Sequence, residues 1–332
     1  MEKKILIVFR HHSTFIENDC KILRNYFSVD IHKINFSPKN FLKLFNKIKT
    51  SDAIIGWFAS WGTALALIVS KILNKKFLII AGGLDAAWIK IGKKIKNTEI
   101  SGLFEIIEKI IAKFVFSYSD VVLPVSNFTK QGVLLISKPK RIEVVYNGLP
   151  CIKNKIKKEK LVITVATLNK FNVKKKGLTT FAKASRLLPH IKFFIVGKYS
   201  KNSFEYKLLK RLGGKNLHFT GYLPKKELFK IMRKAKVYCQ LSYSESFGYA
   251  LAEAMLCKCV PVVTKRTALP EVVGDSGFYV DYGDVKKTVK TIIKALKTKK
   301  LGNKARERVL KYFSLRERGK KISNLINNML IN

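Results

Sequence analysis

Residues 236–263 read KVYCQLSYSESFGYALAEAMLCKCVPVV, one complete strand–loop–helix–strand unit. The apolar run at 236–241 predicts a strand, 247–257 a helix, and 259–264 (CVPVVT) the next strand. The helix is apolar nearly all round, which predicts burial. Between Ser246 and Cys257 its only charged side chain is Glu253, about two turns in. A lone buried carboxylate is costly unless it accepts hydrogen bonds. Sugar hydroxyls can supply them; a core-facing lysine is the alternative partner. Glu245 stands eight residues earlier, just before the helix, where it is expected at the rim of a ligand cleft. First-turn amides lack intrahelical partners and carry the positive end of the helix dipole. The small, flexible entry at Ser246, Phe247 and Gly248 therefore suits a phosphate.

The same alternation runs outward along the chain. Strands are predicted at 4–9, 29–34, 52–57, 76–81, 120–125 and 142–146, then at 161–166, 191–196, 216–220, 236–241 and 259–264. Helices fall between the later ones at about 177–188, 203–212 and 225–234. A polar, lysine-rich break at 152–160 (IKNKIKKEK) separates the two series. Strands spaced by ten-residue helices imply parallel sheets covered on both faces. The fold class is therefore α/β, with two doubly wound, Rossmann-like domains facing across a cleft. The domains are 1–150 and 161–313, joined by a linker at 151–160. Ligands of such sheets bind beyond the carboxyl ends of the strands. The first strand runs into RHHSTF (10–15), not GxGxxG, so the phosphate loop of a dinucleotide-dependent oxidoreductase is missing.

Composition narrows the class. Hydrophobic residues make up 47% of 332, enough for large cores. The net charge is +43, carried by 54 lysines and 11 arginines. Base readers lean on arginine forks, whereas lysines are point charges for phosphates in general. An anionic surface is thus a more natural partner than a specific nucleic acid, and coding bias is the other explanation. Five cysteines form no CxxC pair or zinc-site cluster, and read as reduced core thiols. No signal peptide is visible at the N-terminus. The uncharged run at 53–70 reaches the length of a membrane span, but Gly56, Ser60 and Gly62 break it into strand, loop and helix.

Several segments carry a family resemblance. Glu245 and Glu253, with Ser-Phe-Gly after the first and Ala-Met after the second, resemble the signature of glycosyltransferase family 4. VVTKRTALPEVVGDSGFYVDYGD (262–284) is similar to that family's continuation. LVITVATLNKFNVKKKGL, IKFFIVGK, NLHFTGYLPKKELFKIM, VVLPVSNFTK and VVYNGL resemble further segments in the same order. The resemblance implies a GT-B fold, a retaining mechanism, and a UDP- or GDP-sugar as donor substrate with no cofactor and no metal. By the same resemblance the segment 314–332 crosses back to brace the N-terminal domain.

The resemblance also implies residue roles. Glu245 meets hydroxyls of the donor sugar, Glu253 the ribose, and the backbone at Ser246, Phe247 and Gly248 the diphosphate. Lys176 matches the phosphate-binding lysine. Its usual arginine partner is missing from the 167–174 loop, where Lys170 or Lys174 takes that place. Asp85, after Gly82 and Gly83, occupies the neighbourhood of the family's catalytic histidine; the glycine pair alone reads as a tight turn. His11 and His12 lie in the acceptor-side loop, either assisting the acceptor hydroxyl or as surface bystanders. The activity expected is sugar transfer to an acceptor hydroxyl in glycolipid, glycan or cell-surface polysaccharide synthesis. The setting expected is cytoplasmic, on a sugar or lipid-linked acceptor, with peripheral binding to an anionic membrane surface. Lys90, Lys93, Lys94 and Lys96, beside Trp88 and Ile91, are the membrane contacts expected. The alternatives are a non-catalytic polyanion-binding protein and a GT-B epimerase or phosphorylase.

Overall fold

The computed structural model describes residues 2–91, 94–97, 102–152 and 157–331; Lys93 and linker positions 153–156 lie outside the described residues. The chain divides into two compact units, Met1–Pro150 with Phe313–Asn332, and Cys151–Tyr312.

The first unit runs β1 (Lys4–Phe9), α1 (Thr14–Leu23), β2 (Ser28–Lys33), α2 (Pro38–Lys49), β3 (Ala53–Trp57), α3 (Trp61–Ile72) and β4 (Lys76–Ala81). A hairpin of β5 (Trp88–Ile91) and β6 (Lys94–Asn97) follows, then α4 (Leu103–Tyr118), β7 (Val121–Pro124) and α5 (Asn127–Ile136). Five strands form one parallel sheet in the order β2-β1-β3-β4-β7. Ile5, Leu6, Ile7 and Val8 of β1 are fully buried, as a central strand covered on both faces requires. Each such side chain contributes about 1.5–3 kcal/mol.

The second unit runs β8 (Glu159–Val165), α6 (Lys170–Lys175), α7 (Leu178–Leu187), β9 (Lys192–Val196), α8 (Phe204–Leu212), β10 (Leu217–Phe219) and α9 (Lys225–Lys234). It continues with β11 (Ala235–Gln240), α10 (Tyr249–Leu256), β12 (Val260–Thr264), α11 (Leu269–Val273), β13 (Phe278–Val280), α12 (Val285–Lys297) and α13 (Leu301–Tyr312). Its six strands are parallel in the order β10-β9-β8-β11-β12-β13. Both sheets are thus parallel and helix-covered, as the alternating pattern predicts.

The last helix, α14 (Leu315–Ile331), packs on α1 of the first unit. Arg318 forks onto Asp19, Nε to Oδ1 and Nη2 to Oδ2 (2.7 Å), and Nη1 donates to the carbonyls of Val145 and Tyr146. Both ion-pair members are buried, so the extra carbonyl bonds offset part of the desolvation cost.

Some expectations are corrected. Residues 142–146 do not form a regular strand; this apolar run lies along β7, with Glu143 N and Val145 N donating to the Val122 and Pro124 carbonyls, but pairs only as an isolated bridge, Val122 to Ile142. The helix placed at 247–257 is shorter, so Glu253 lies one turn in. Residues 170–175, read as loop, are helical because the Asn169 side chain caps the Asn172 amide at 2.7 Å. Cys151 is exposed, so only the other four cysteines are core thiols. Trp88 is buried with Nε1 donating to the Asp85 carbonyl at 2.7 Å, which removes it from any membrane contact. No helix among the described residues is long and apolar enough to cross a membrane.

Candidate active site

β11 ends at Gln240, and the loop behind it gathers polar groups in a dry setting. Glu245 is buried, and three donors converge on its Oε1. Lys176 Nζ lies at 2.6 Å, Gln240 Nε2 at 2.8 Å and Ser242 Oγ at 2.8 Å. Its Oε2 accepts from none of the described residues. Gln240 is itself held by Tyr238, whose Oη donates to its Oε1 at 3.0 Å. The Glu245 amide donates to Thr267 Oγ1 at 2.9 Å, fixing the loop from the other side. Burial alone would raise the Glu245 pKa, but Lys176 and Lys175 hold it below the usual carboxylate range.

Lys176 reaches this carboxylate because the α6–α7 junction is stitched to the loop. Tyr243 N donates to the Lys175 carbonyl at 2.7 Å. Gly177 is left-handed (φ 62°), and a Cβ there would sit 2.1 Å from the Leu241 carbonyl oxygen. Only glycine permits that approach. Lys170 and Lys174 are both exposed, and neither side chain has an ion-pair partner among the described residues. The Lys174 carbonyl accepts from Tyr282 Oη at 2.6 Å.

Gly248, also left-handed at φ 92°, opens α10, with Phe247 buried and Ser246 half-buried before it. One turn on, Glu253 is only 7% exposed, yet its carboxyl accepts no hydrogen bond from any described residue. Burial pushes its pKa up to about 7, with the Lys225 charge pulling the other way. The core-facing lysine considered as its partner is therefore absent; the buried ion pair belongs to Glu245. Ser244 Oγ, in the same loop, is a second buried polar atom without a partner.

The first unit holds the remaining candidates. Asp85 is buried after β4, where Oδ2 accepts from Ala59 N at 3.0 Å and Oδ1 from Gly83 N at 2.8 Å. Burial raises its pKa to about 6 despite those amide bonds. Its carboxylate thus ties the ends of β3 and β4 together. Gly82 lies against Val125 and Trp57, and neither it nor Gly83 is left-handed. His11 and His12 are both exposed, His12 beside Glu17 at 3.5 Å. Among the described residues no three His, Cys, Asp or Glu side chains converge as a metal site. Gln240, Ser242, Tyr238 and Thr267 escaped the sequence reading, since none is charged. For Gln240 and Ser242 the signal was the polar run QLSYSES (240–246) where a strand ends; Tyr238 and Thr267 lie outside it.

Residues 151–312 match the family model described as glycosyl transferases group 1. The chain is 38% identical over 69 residues to the O-antigen chain mannosyltransferase B of Escherichia coli, covering 21% of this chain and 18% of that protein. It is 28% identical over 227 residues to the N-acetyl-alpha-D-glucosaminyl L-malate synthase of Bacillus anthracis, covering 61% and 58% respectively. Among solved structures, Anabaena HepE in complex with UDP and glucose superposes with a TM-score of 0.78 at 16% identity, over 98% of this chain and 100% of that one. That likeness shows a shared α/β fold over nearly the whole chain.

Proposed function

With residues 151–312 matching the glycosyl transferases group 1 model, we propose that this protein is a retaining family 4 enzyme. It moves a sugar from a UDP- or GDP-sugar to an acceptor hydroxyl, in glycolipid, glycan or cell-surface polysaccharide synthesis. The observation that carries the reading is a division of labour between two buried carboxylates. Glu245 is neutralised by Lys176 and presents its second oxygen, whereas Glu253 is unpaired one turn into α10. A neutralised, anchored carboxylate suits sugar hydroxyls without repelling a diphosphate. An unpaired one needs strong donors, which vicinal ribose hydroxyls provide.

In this reading Lys176 and the N-terminus of α10 at Ser246, Phe247 and Gly248 take the charge that develops on the departing diphosphate. Lys170 or Lys174 adds a second cation, and EDTA leaves the rate unchanged. Asp85 acts by fixing the loop that carries Gly82 and Gly83 on the acceptor side. The second unit is the donor domain and the first the acceptor domain. The acceptor is membrane-borne, presented to a cytoplasmic, peripheral enzyme. Calorimetric titration of the protein with UDP and with GDP tests the donor assignment: one must bind, and binding of neither overturns it. The anomeric signal of the product by NMR tests retention.

A further inference from the structure

Helix α4 is built inside out over its first half. Leu103, Phe104, Ile106, Ile107 and Ile110 are 46–73% exposed, whereas Glu105, Glu108 and Lys109 between them are half-buried. A surface helix ordinarily shows the reverse. Burial and the Arg10 charge act on Glu108, so the acidic side faces the protein. The second half returns to the usual sense, with Ala112, Val115 and Phe116 buried in the core. The apolar face is therefore local to the first two turns.

The neighbouring helices extend it. α3 packs between α2 and α4. On the same layer α2 exposes Phe41 and Leu42, and α3 exposes Ile68 and Ile72. Monomeric proteins rarely leave so much aliphatic and aromatic surface open on adjoining elements unless something binds it. Around it stand Lys39, Lys43 and Lys113, exposed and without ion-pair partners among the described residues.

We infer that this α2–α3–α4 face, centred on the first two turns of α4, seats the first unit on an anionic lipid bilayer. Charge selects that occupant. A second copy of a chain carrying +43 would be repelled, whereas an anionic leaflet attracts each lysine near it and accepts the isoleucines at its acyl boundary. The inference deepens the membrane-acceptor reading by naming the element that docks, and it moves the contact away from Trp88, which is buried. It does not depend on the transfer chemistry.

Flotation with phosphatidylcholine vesicles, with and without phosphatidylglycerol, tests it. The full chain is expected to float only with phosphatidylglycerol present and to be released by salt. Ile106→Ser/Ile107→Ser/Ile110→Ser should lower partitioning by about tenfold or more, and Lys39→Gln/Lys43→Gln/Lys113→Gln should lower it less steeply. An unchanged melting temperature and circular-dichroism spectrum of the isoleucine variant keep a folding defect in the first unit from imitating the result. Wild type and isoleucine variant floating alike would overturn the inference and leave a membrane acceptor intact. Equal flotation with neutral vesicles would overturn the charge argument. A dimer in solution that the isoleucine variant abolishes would assign the face to a second copy.

Discussion

Glu245 and Glu253 stand eight residues apart and are buried to nearly the same degree, yet their surroundings are opposite. Lys176, Gln240 and Ser242 surround one oxygen of Glu245, while Glu253 has no donor among the described residues. At similar burial, which raises both, Lys176 and Lys175 hold one carboxyl below the usual range while the other is pushed up to about 7. A buried acid can belong to the protein's own network or wait for a ligand. The neighbours decide which, and burial does not.

The comparison breaks most visibly at Lys176. Lys176→Met leaves Glu245 buried without its cation, which should cost about 3 kcal/mol and lower the melting temperature by about 6–12 °C. Pairing it with Glu245→Gln should restore most of the stability and none of the activity, as calorimetry and a transfer assay would show. Recovery of activity as well would place the diphosphate elsewhere.

Glu253→Ala is expected to weaken nucleoside diphosphate binding by roughly ten- to hundredfold, with no fall in melting temperature. Glu245→Gln alone should instead lower kcat by about a hundredfold with nucleotide affinity kept, because the contact proposed for it is to the transferred sugar. Exchanged effects would reverse the two roles.

Opposite pKa shifts give opposite pH slopes in the ligand-free protein. Folded Glu253 keeps a proton that the unfolded chain releases near 4.5, so its stabilising contribution is present at low pH and is lost as pH rises towards about 7. Glu245, held low, contributes above the ordinary carboxylate range and loses that contribution on acidification through its folded pKa. Glu253→Gln should therefore be more stable than wild type at pH 8 in thermal melts, by an amount that vanishes near pH 4. The smallest effects are expected at Lys170 and Lys174. Single glutamine changes should alter nucleotide affinity by no more than about tenfold, since each is an exposed point charge, and the larger loss identifies the second cation.

The alternation of short apolar runs with helical spacing was enough to read two parallel sheets, because strands covered on both faces have no polar positions to confuse the pattern. Two segments show where that signal fails. IEVVY at 142–146 has a strand's composition, and Glu143 N and Val145 N donate to the Val122 and Pro124 carbonyls, yet its pairing with β7 stays an isolated bridge at Ile142. β13 has three residues, too few for any periodicity. In the candidate site, Glu245, Glu253 and Lys176 were legible from their motifs. What the sequence did not carry is that Lys176 pairs with Glu245, 69 positions away. That pairing follows from the close approach of Gly177 to Leu241, a tertiary contact with no local trace. The inverted face of α4 was equally hidden, since LFEIIEKIIAKF reads as amphipathic whichever side turns inward.

The most direct test of the division between the two carboxylates is a calorimetric titration of Glu253→Gln with UDP and GDP across pH 5.5–8.5, beside wild type. If Glu253 receives the ribose hydroxyls as a carboxylate, wild-type affinity climbs as pH rises through about 7, where that group loses its proton. The variant binds more weakly and shows no such climb. Equal affinity and parallel pH profiles in the two proteins would return Glu253 to the core and contradict its role as the nucleotide's anchor.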